Sequence, residues 1–170
     1  LRFQKENLID TNNIEHFFKL FQEDEISFTN DRYRDFIKLA EFFKVKKLLI
    51  QLKKYFDSHM TDIDFVIRLF LNEFGQKNDI DQNEKLIISQ IEQLFIDKIN
   101  EFLENKLFQQ IPVSVIYQII EKSDKKQISS DSLFDFIKSS LDKFFVLLKF
   151  INIQNLSNDK FNELYEILII

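Results

Sequence analysis

Two histidines, His16 and His59, are the side chains of this sequence best suited to bind a metal or to move a proton, and the chain has no cysteine. A zinc site on a helix needs a second histidine nearby, as in H-E-x-x-H, so that two ring nitrogens reach one ion. Neither histidine has such a neighbour. We therefore predict that both are ordinary surface or helix-end residues and that the chain binds no metal and forms no disulfide.

Residues 79 to 90 imitate a calcium-binding loop, because Asp79, Asp81 and Asn83 have the spacing of its first three ligands. The sixth position of that loop must be a glycine that permits a sharp turn, and the twelfth must be a glutamate that binds with both oxygens. Here those positions hold Glu84 and Gln90. We predict a solvated linker that caps the next helix, and no calcium site.

The basic residues concentrate at one place in the chain. Five lysines share this stretch: Lys44, Lys46, Lys47, Lys53 and Lys54. Such a stretch can contact an acidic partner or a lipid headgroup. Because Asp35, Glu41 and Asp57 are close in sequence and dilute the positive field, we predict a solvated polar face.

Catalysis is not predicted for this chain. Most catalytic sites are reached by loops, and a single glycine (Gly75) and a single proline (Pro112) leave little loop and no phosphate-binding loop. The net charge of −5 is spread without a basic stripe, which argues against a nucleic-acid face. We predict a non-catalytic chain that uses no cofactor and no small-molecule substrate and whose partners are proteins.

The distribution of apolar residues predicts neither a membrane span nor a signal peptide. There is no uninterrupted apolar run of about 18 residues and no charged leader before an apolar segment. The sequence begins at Leu1 rather than at a methionine. We interpret it as a piece of a longer intracellular protein of the cytoplasm or nucleus.

Apolar residues spaced at i, i+3, i+4 and i+7 predict helices along most of the chain. In the first part, residues 31–43 and 45–56 are predicted to form a packed helical hairpin. Thr61 and Asp64 are predicted to form a capping box that opens a helix ending at Gly75. The pattern thus predicts an all-α fold with at most two short strands.

The second part is predicted to continue as stacked helices. One long helix is expected over residues 82–104, and Pro112 is expected in the first turn of the next. Residues 133–148 are expected to form one helix or two. A last helix is expected after Ser157, and four of its residues are predicted to face inward: Phe161, Leu164, Tyr165 and Leu168.

The order of features from Ile26 to Leu52 resembles the closing part of a BTB (POZ) domain. In that family a short strand precedes a helix ending in a leucine-alanine-x-x-leucine-like phrase, and a short hydrophobic-x-x-leucine helix follows. Ile26 to Thr29 reads as the strand, and Leu39-Ala40-x-x-Phe43 and Val45-x-x-Leu48 stand for the two phrases. Residues 1–9 would be a preceding strand and residues 12–22 a helix, so residues 1–60 resemble the C-terminal part of a BTB domain.

Residues 61–170 resemble a BACK domain. Its leucine-proline element before a helix is matched by Leu107 to Pro112 and the following Val115-Ile116-x-x-Ile119-Ile120. The composition is similar to that of BTB-BACK segments found before ankyrin repeats in protist proteins. The polar stretch from Gln76 to Glu84 departs from better-known members.

The resemblance implies that the chain acts as an adaptor between other proteins. BTB domains dimerise or bind cullin scaffolds of ubiquitin ligases, and BACK domains extend the arm that carries a substrate-binding module. The segments that make those contacts would precede Leu1, so no binding residue is carried over. Two alternatives stay open: a HEAT-like helical scaffold without a ubiquitin link, although no repeat of about 40 residues is visible, and a non-catalytic fragment of a larger enzyme.

Overall fold

A computed structural model describes residues 17–19, 33–74, 82–125 and 127–169 of the chain. These residues form an all-α fold, as predicted, and no β-strand occurs among them. Several predicted features lie outside the described residues: the strands at 1–9 and 26–29, His16, the Gly75 cap, and Asp79 and Asp81 of the linker.

The chain divides by its internal contacts into two compact units, Leu1–Glu73 and Phe74–Ile170. The helix Ile63–Leu69 therefore belongs to the first unit, whereas the sequence interpretation placed it after a boundary at residue 60. The assignment of residues 1–60 and 61–170 to BTB-like and BACK-like domains remains a prediction.

A helical hairpin forms the centre of the first unit. Helix α1 (Tyr33–Phe42) packs against α2 (Lys46–His59), which confirms the predicted hairpin. Most buried side chains come from one stripe of each helix: Tyr33, Phe36, Ile37 and Ala40 from α1, and Leu48, Leu52 and Phe56 from α2. Leu39 of α1 is buried beside that stripe. The Tyr33 hydroxyl donates a hydrogen bond of 3.3 Å to the Leu52 carbonyl oxygen. Burial raises the pKa of Tyr33 well above its ordinary value, and the Asp57 carboxylate adds to the rise.

The turn between α1 and α2 is made by Lys44 in the left-handed backbone region, with φ of 56°. The Lys44 amide donates to the Glu41 carbonyl at 3.0 Å, and the Val45 amide donates to the Ala40 carbonyl at 2.7 Å. This pair of bonds is the Schellman motif, which usually places a glycine at the left-handed position. A lysine there is held against its own backbone preference.

Helix α3 (Ile63–Leu69) continues into a π-helical turn, Phe70–Phe74. The predicted capping box of Thr61 and Asp64 is wrong by one residue. Asp62 is the N-cap, and its carboxylate accepts the Phe65 amide at 3.1 Å. The shift leaves Thr61 outside the helix, and α3 is buried on most sides, with Phe65, Val66, Ile67, Leu69 and Phe70 in the core.

The described residues of the second unit form six α-helices and three short 3₁₀ turns. The α-helices are α4 (Gln82–Asp97), α5 (Ile99–Leu103), α6 (Val113–Lys122), α7 (Ser130–Lys138), α8 (Leu141–Phe144) and α9 (Asn158–Ile169). The 3₁₀ turns are Lys106–Gln110, Phe145–Phe150 and Ile153–Asn155. Pro112 immediately precedes α6, and its carbonyl oxygen accepts the Val115 amide at 2.9 Å.

The single helix predicted over residues 82–104 is wrong, because the helix is interrupted at Lys98. Lys98 has φ of −117° and ψ of 28°, outside the helical region, and α5 begins at the next residue. No glycine or proline lies at this point. Both helices pack inward through apolar side chains on either side of the break, and Ile91, Phe95, Ile99 and Phe102 are buried.

Five buried phenylalanines form a continuous aromatic core through the second unit. Phe95 and Phe102 meet edge to face with ring centroids 4.7 Å apart, and Phe108 lies 5.4 Å from Phe95. Phe136 continues the series 5.8 Å from Phe108 and 4.5 Å from Phe144. These rings come from α4, α5, α7, α8 and the turn after α5, so a single cluster joins most elements of the unit.

Asn100 connects α5 to the segment before α7. Its side-chain NH₂ donates to the Gln127 carbonyl at 2.8 Å, and its Oδ1 accepts the Ser129 amide at 2.8 Å. Ser129 then caps α7, because its hydroxyl oxygen accepts the Ser132 amide at 3.2 Å. One amide side chain therefore fixes the start of α7.

Candidate interaction surfaces

Helix α9 carries an apolar face that none of the described elements covers. Phe161, Tyr165, Leu168 and Ile169 are 44%, 61%, 58% and 61% exposed. At 3.6 residues per turn these four positions lie on one side of the helix. Asp159, Asn162 and Glu166 lie on the other exposed part. The exposed side of α9 is thus divided into an apolar half and a polar half.

The inward side of α9 is small. Leu164 is the buried residue of the helix, and Ile167 is half-buried. The prediction that Phe161, Tyr165 and Leu168 face inward with Leu164 is therefore wrong. The apolar arc of α9 is wider than the contact that the unit offers, so part of it is left at the surface.

Polar contacts attach α9 to α7. Lys138 on α7 pairs with Glu163, and Lys160 pairs with Asp135 of α7. At the start of α9, the Ser157 amide donates to an Asp131 carboxylate oxygen at 2.9 Å. This backbone bond holds the pKa of Asp131 below its ordinary value, with further help from the Ser157 hydroxyl and Lys160. The Glu163 carboxylate raises the pKa of Lys138 by hydrogen bonding.

Helix α2 carries a lysine face on the side opposite to the hairpin core. Lys46, Lys47, Lys53 and Lys54 are exposed, and Ile50, between the two lysine pairs, is 57% exposed. The spacing i, i+1, i+4, i+7 and i+8 places all five on one helix face. The structure therefore agrees with the predicted solvated face and adds that an exposed isoleucine lies at its centre.

Where the structure describes the chain, the lysines of α2 and Lys44 in the turn before it have no intramolecular side-chain partner, unlike most lysines of the second unit. Within the described residues, none of Lys44, Lys46, Lys47, Lys53 and Lys54 forms an ion pair or a side-chain hydrogen bond. Six described lysines of the second unit have a side-chain or backbone partner: Lys98 with Glu101, Lys122 with Glu92, Lys138 with Glu163, Lys143 with Gln109, Lys149 with Tyr117, and Lys160 with Asp135. The ammonium groups of the lysine face are available to an external ligand.

Phenylalanines also reach the surface at the end of α1. Phe43, the last residue of the predicted helix 31–43, is 42% exposed, and it contacts Phe42 with ring centroids 5.0 Å apart. It also lies 5.6 Å from the buried Phe17 ring and 5.5 Å from Phe18. Phe43 follows the last residue of α1, and its amide still donates to the Leu39 carbonyl oxygen at 2.9 Å.

His59 lies at the end of α2, as predicted. Its ring lies 4.2 Å from the Tyr55 ring and 5.1 Å from Phe65, and Nδ1 is 2.8 Å from the Tyr55 carbonyl oxygen, which accepts a hydrogen bond from it. These contacts account for the residue by packing. Across the described residues, no group of three or more His, Asp or Glu side chains is placed to hold a metal ion.

Comparisons with known proteins do not identify the chain. No family model matches it, and no similar protein was found among curated proteins or solved structures. The BTB-like and BACK-like resemblance therefore rests on the sequence phrases alone. None of the described helices is both long enough and apolar enough to cross a membrane.

Proposed function

We propose that this chain is a non-catalytic protein–protein interaction module, an adaptor or scaffold segment that docks a helix of its partner on the apolar face of α9. The observation that carries the proposal is the exposure of Phe161, Tyr165, Leu168 and Ile169 on one helix side. Contiguous apolar patches of this kind commonly mark protein-binding sites. Aromatic residues such as Phe161 and Tyr165 are also enriched at the centres of interfaces.

The size of the face sets the strength of the interaction. Four side chains exposed by about half present on the order of 400 Å². Covering that area contributes about 10 kcal/mol at 25 cal/mol per Å². Association itself costs roughly 4–15 kcal/mol, so α9 alone supports a weak, transient complex rather than an obligate one.

A more specific form of the proposal names the partner. The resemblance of residues 1–60 to the end of a BTB domain favours a cullin scaffold of a ubiquitin ligase. The general proposal does not depend on this identification, because the α9 face lies in the second unit.

The test compares three baits made from residues 1–170: the unchanged chain, Tyr165→Asp and Tyr165→Phe. Tyr165 is largely exposed, so both substitutions leave the fold intact, which a thermal melt checks. We expect one defined protein to bind the unchanged chain and Tyr165→Phe in purified form, and Tyr165→Asp to weaken that binding at least about tenfold, since a carboxylate cannot be buried without a partner.

Two results would contradict the proposal at different levels. If every captured protein binds Tyr165→Asp as well as the unchanged chain, the α9 face is not a docking site. If a purified cullin scaffold fails to bind the unchanged chain while another partner shows the expected pattern, the ubiquitin link is wrong and the interaction module stands.

A further inference from the structure

We infer that the lysine face of α2 is a second docking site, which binds an acidic amphipathic helix of a protein partner. The site consists of Lys46, Lys47, Ile50, Lys53 and Lys54. It lies in the first unit and is independent of the α9 face, so either site can fail without the other.

The geometry of the site is that of two lysine pairs with an apolar centre. The pairs Lys46-Lys47 and Lys53-Lys54 are seven residues apart, which is about 10.5 Å along the helix axis. Ile50 lies midway and is 57% exposed. A partner helix with glutamates three and four positions on either side of one leucine has the same spacing with opposite charge.

The site carries a net positive charge, and its ammonium groups are unpaired. None of its four lysines has an ion-pair partner among the described residues. Asp57, the acidic residue of α2, lies four residues after Lys53 and three after Lys54, on the same face, and it lowers the net positive charge there without forming an ion pair with either lysine. The Asp57 carboxylate also raises the pKa of Tyr33. The two lysine pairs lie about one Debye length apart in 0.1 M salt. Salt therefore screens them from each other only in part, and both pairs attract the same ligand.

The single exposed apolar residue of the lysine face distinguishes between three kinds of partner: a membrane, a nucleic acid and a protein helix. A helix that binds a bilayer inserts a wide apolar face, but the apolar face of α2 is already used in the hairpin core through Leu48, Leu52 and Phe56. Ile50 alone offers too small an apolar surface for insertion into a bilayer. The phosphates of a nucleic acid bind lysines but gain no favourable contact from an apolar residue at the centre of the face. A helix that brings carboxylates and one aliphatic side chain satisfies all five residues.

The experiment measures binding of a labelled synthetic helix to the full chain by fluorescence anisotropy. The probe is an alanine-rich peptide with one leucine flanked by glutamates at positions −4, −3, +3 and +4. A control peptide of equal composition carries the same glutamates distributed around the helix. We expect the probe to bind at least about tenfold more tightly than the control peptide, and a rise from 50 to 300 mM salt to weaken the binding.

Two double variants match each other in charge. Lys46→Glu with Lys53→Glu reverses half of the site, whereas Lys85→Glu with Lys106→Glu makes the same change at exposed lysines of the second unit. We expect the first to reduce probe binding at least about tenfold and the second to leave it nearly unchanged. Ile50→Asn is expected to weaken binding as well, because it removes the apolar contact without changing the net charge.

Three results would overturn the inference. Equal binding of probe and control peptide would show a nonspecific charge effect, and equal loss in both double variants would show dependence on net charge alone. The third is failure of the probe to bind while phosphatidylserine vesicles or duplex DNA bind through Lys46 and Lys53, which would assign the face to a membrane or to a nucleic acid.

Discussion

At the scale of single residues, Lys44 shows how the tertiary fold overrides a local preference. The Schellman motif that ends α1 requires one left-handed residue, and the sequence places a lysine there, with φ of 56°. Side chains other than glycine meet steric resistance in this region. The hairpin contacts between α1 and α2 maintain the turn in spite of that cost.

Replacement of Lys44 by glycine is therefore expected to stabilise the chain. The change removes the left-handed strain and adds some chain entropy to the unfolded state, with a net gain of about 1 kcal/mol in the free energy of unfolding. Urea unfolding measures it. Lys44→Ala is the matched control, because it removes the same side chain and keeps the strain, and a Gly variant no more stable than the Ala variant would refute the explanation.

Asn100 is the second residue whose role is defined by its contacts. Asn100→Ala removes both hydrogen bonds to the segment before α7 and is expected to lower the free energy of unfolding by about 2 kcal/mol. Asn100→Asp keeps the acceptor for the Ser129 amide and loses the donor to Gln127, so we expect a smaller loss. Equal stability of the Ala variant and the unchanged chain in thermal and urea unfolding would contradict this role.

At the scale of elements, most helices could be predicted from the sequence and their ends could not. The α1–α2 hairpin follows from the apolar stripe of each helix, and Asp62 lies one residue from the predicted cap. The break at Lys98 has no local signal. It accompanies a contact of Asn100 with residues 27 and 29 positions away, and such long-range contacts are not encoded in local spacing.

Local spacing also could not show which residues of α9 are buried, so the predicted inward face of this helix was wrong. Helical periodicity shows that Phe161, Leu164, Tyr165 and Leu168 share one side of a helix. It does not show whether another element covers that side. Of these four residues, only Leu164 is buried in the second unit. The other three are exposed and belong to the candidate binding face. The wide apolar arc was visible in the sequence, but its exposure required the structure.

The attachment of α9 to α7 is expected to depend on pH at both extremes. The pKa of Asp131 is lowered from 3.8, so its contribution is present above about pH 4 and is lost as the pH falls through the folded-state value. The pKa of Lys138 is raised from 10.5, so its contribution is present below that pH and is lost as the pH rises further.

Methyl chemical shifts of Leu164, followed by nuclear magnetic resonance, test the acid side. We expect them to hold steady near neutral pH and to change below pH 4, while the Asp131→Asn variant lacks this step. An identical acid transition in the variant would show that another carboxyl group holds α9 in place.

At the scale of the whole molecule, each of two compact units presents a candidate binding surface among its described residues. The first unit exposes a lysine face whose charges have no partner among the described residues, and the second exposes an apolar helix face. The all-α class was predictable from apolar periodicity. The BTB-like and BACK-like identity of the two segments remains a prediction, because it rests on short sequence phrases and no family model, curated protein or solved structure matches.

Site-specific photocrosslinking from α9 tests the central claim most directly. A photoreactive amino acid at Leu168 lies on the apolar face, and the same group at Glu166 lies on the polar side of the same helix. Our account predicts that the Leu168 position crosslinks to one defined partner protein in cells and that the Glu166 position does not. Equal crosslinking from both positions, or none from Leu168, would contradict the claim that this chain acts as an interaction module through α9.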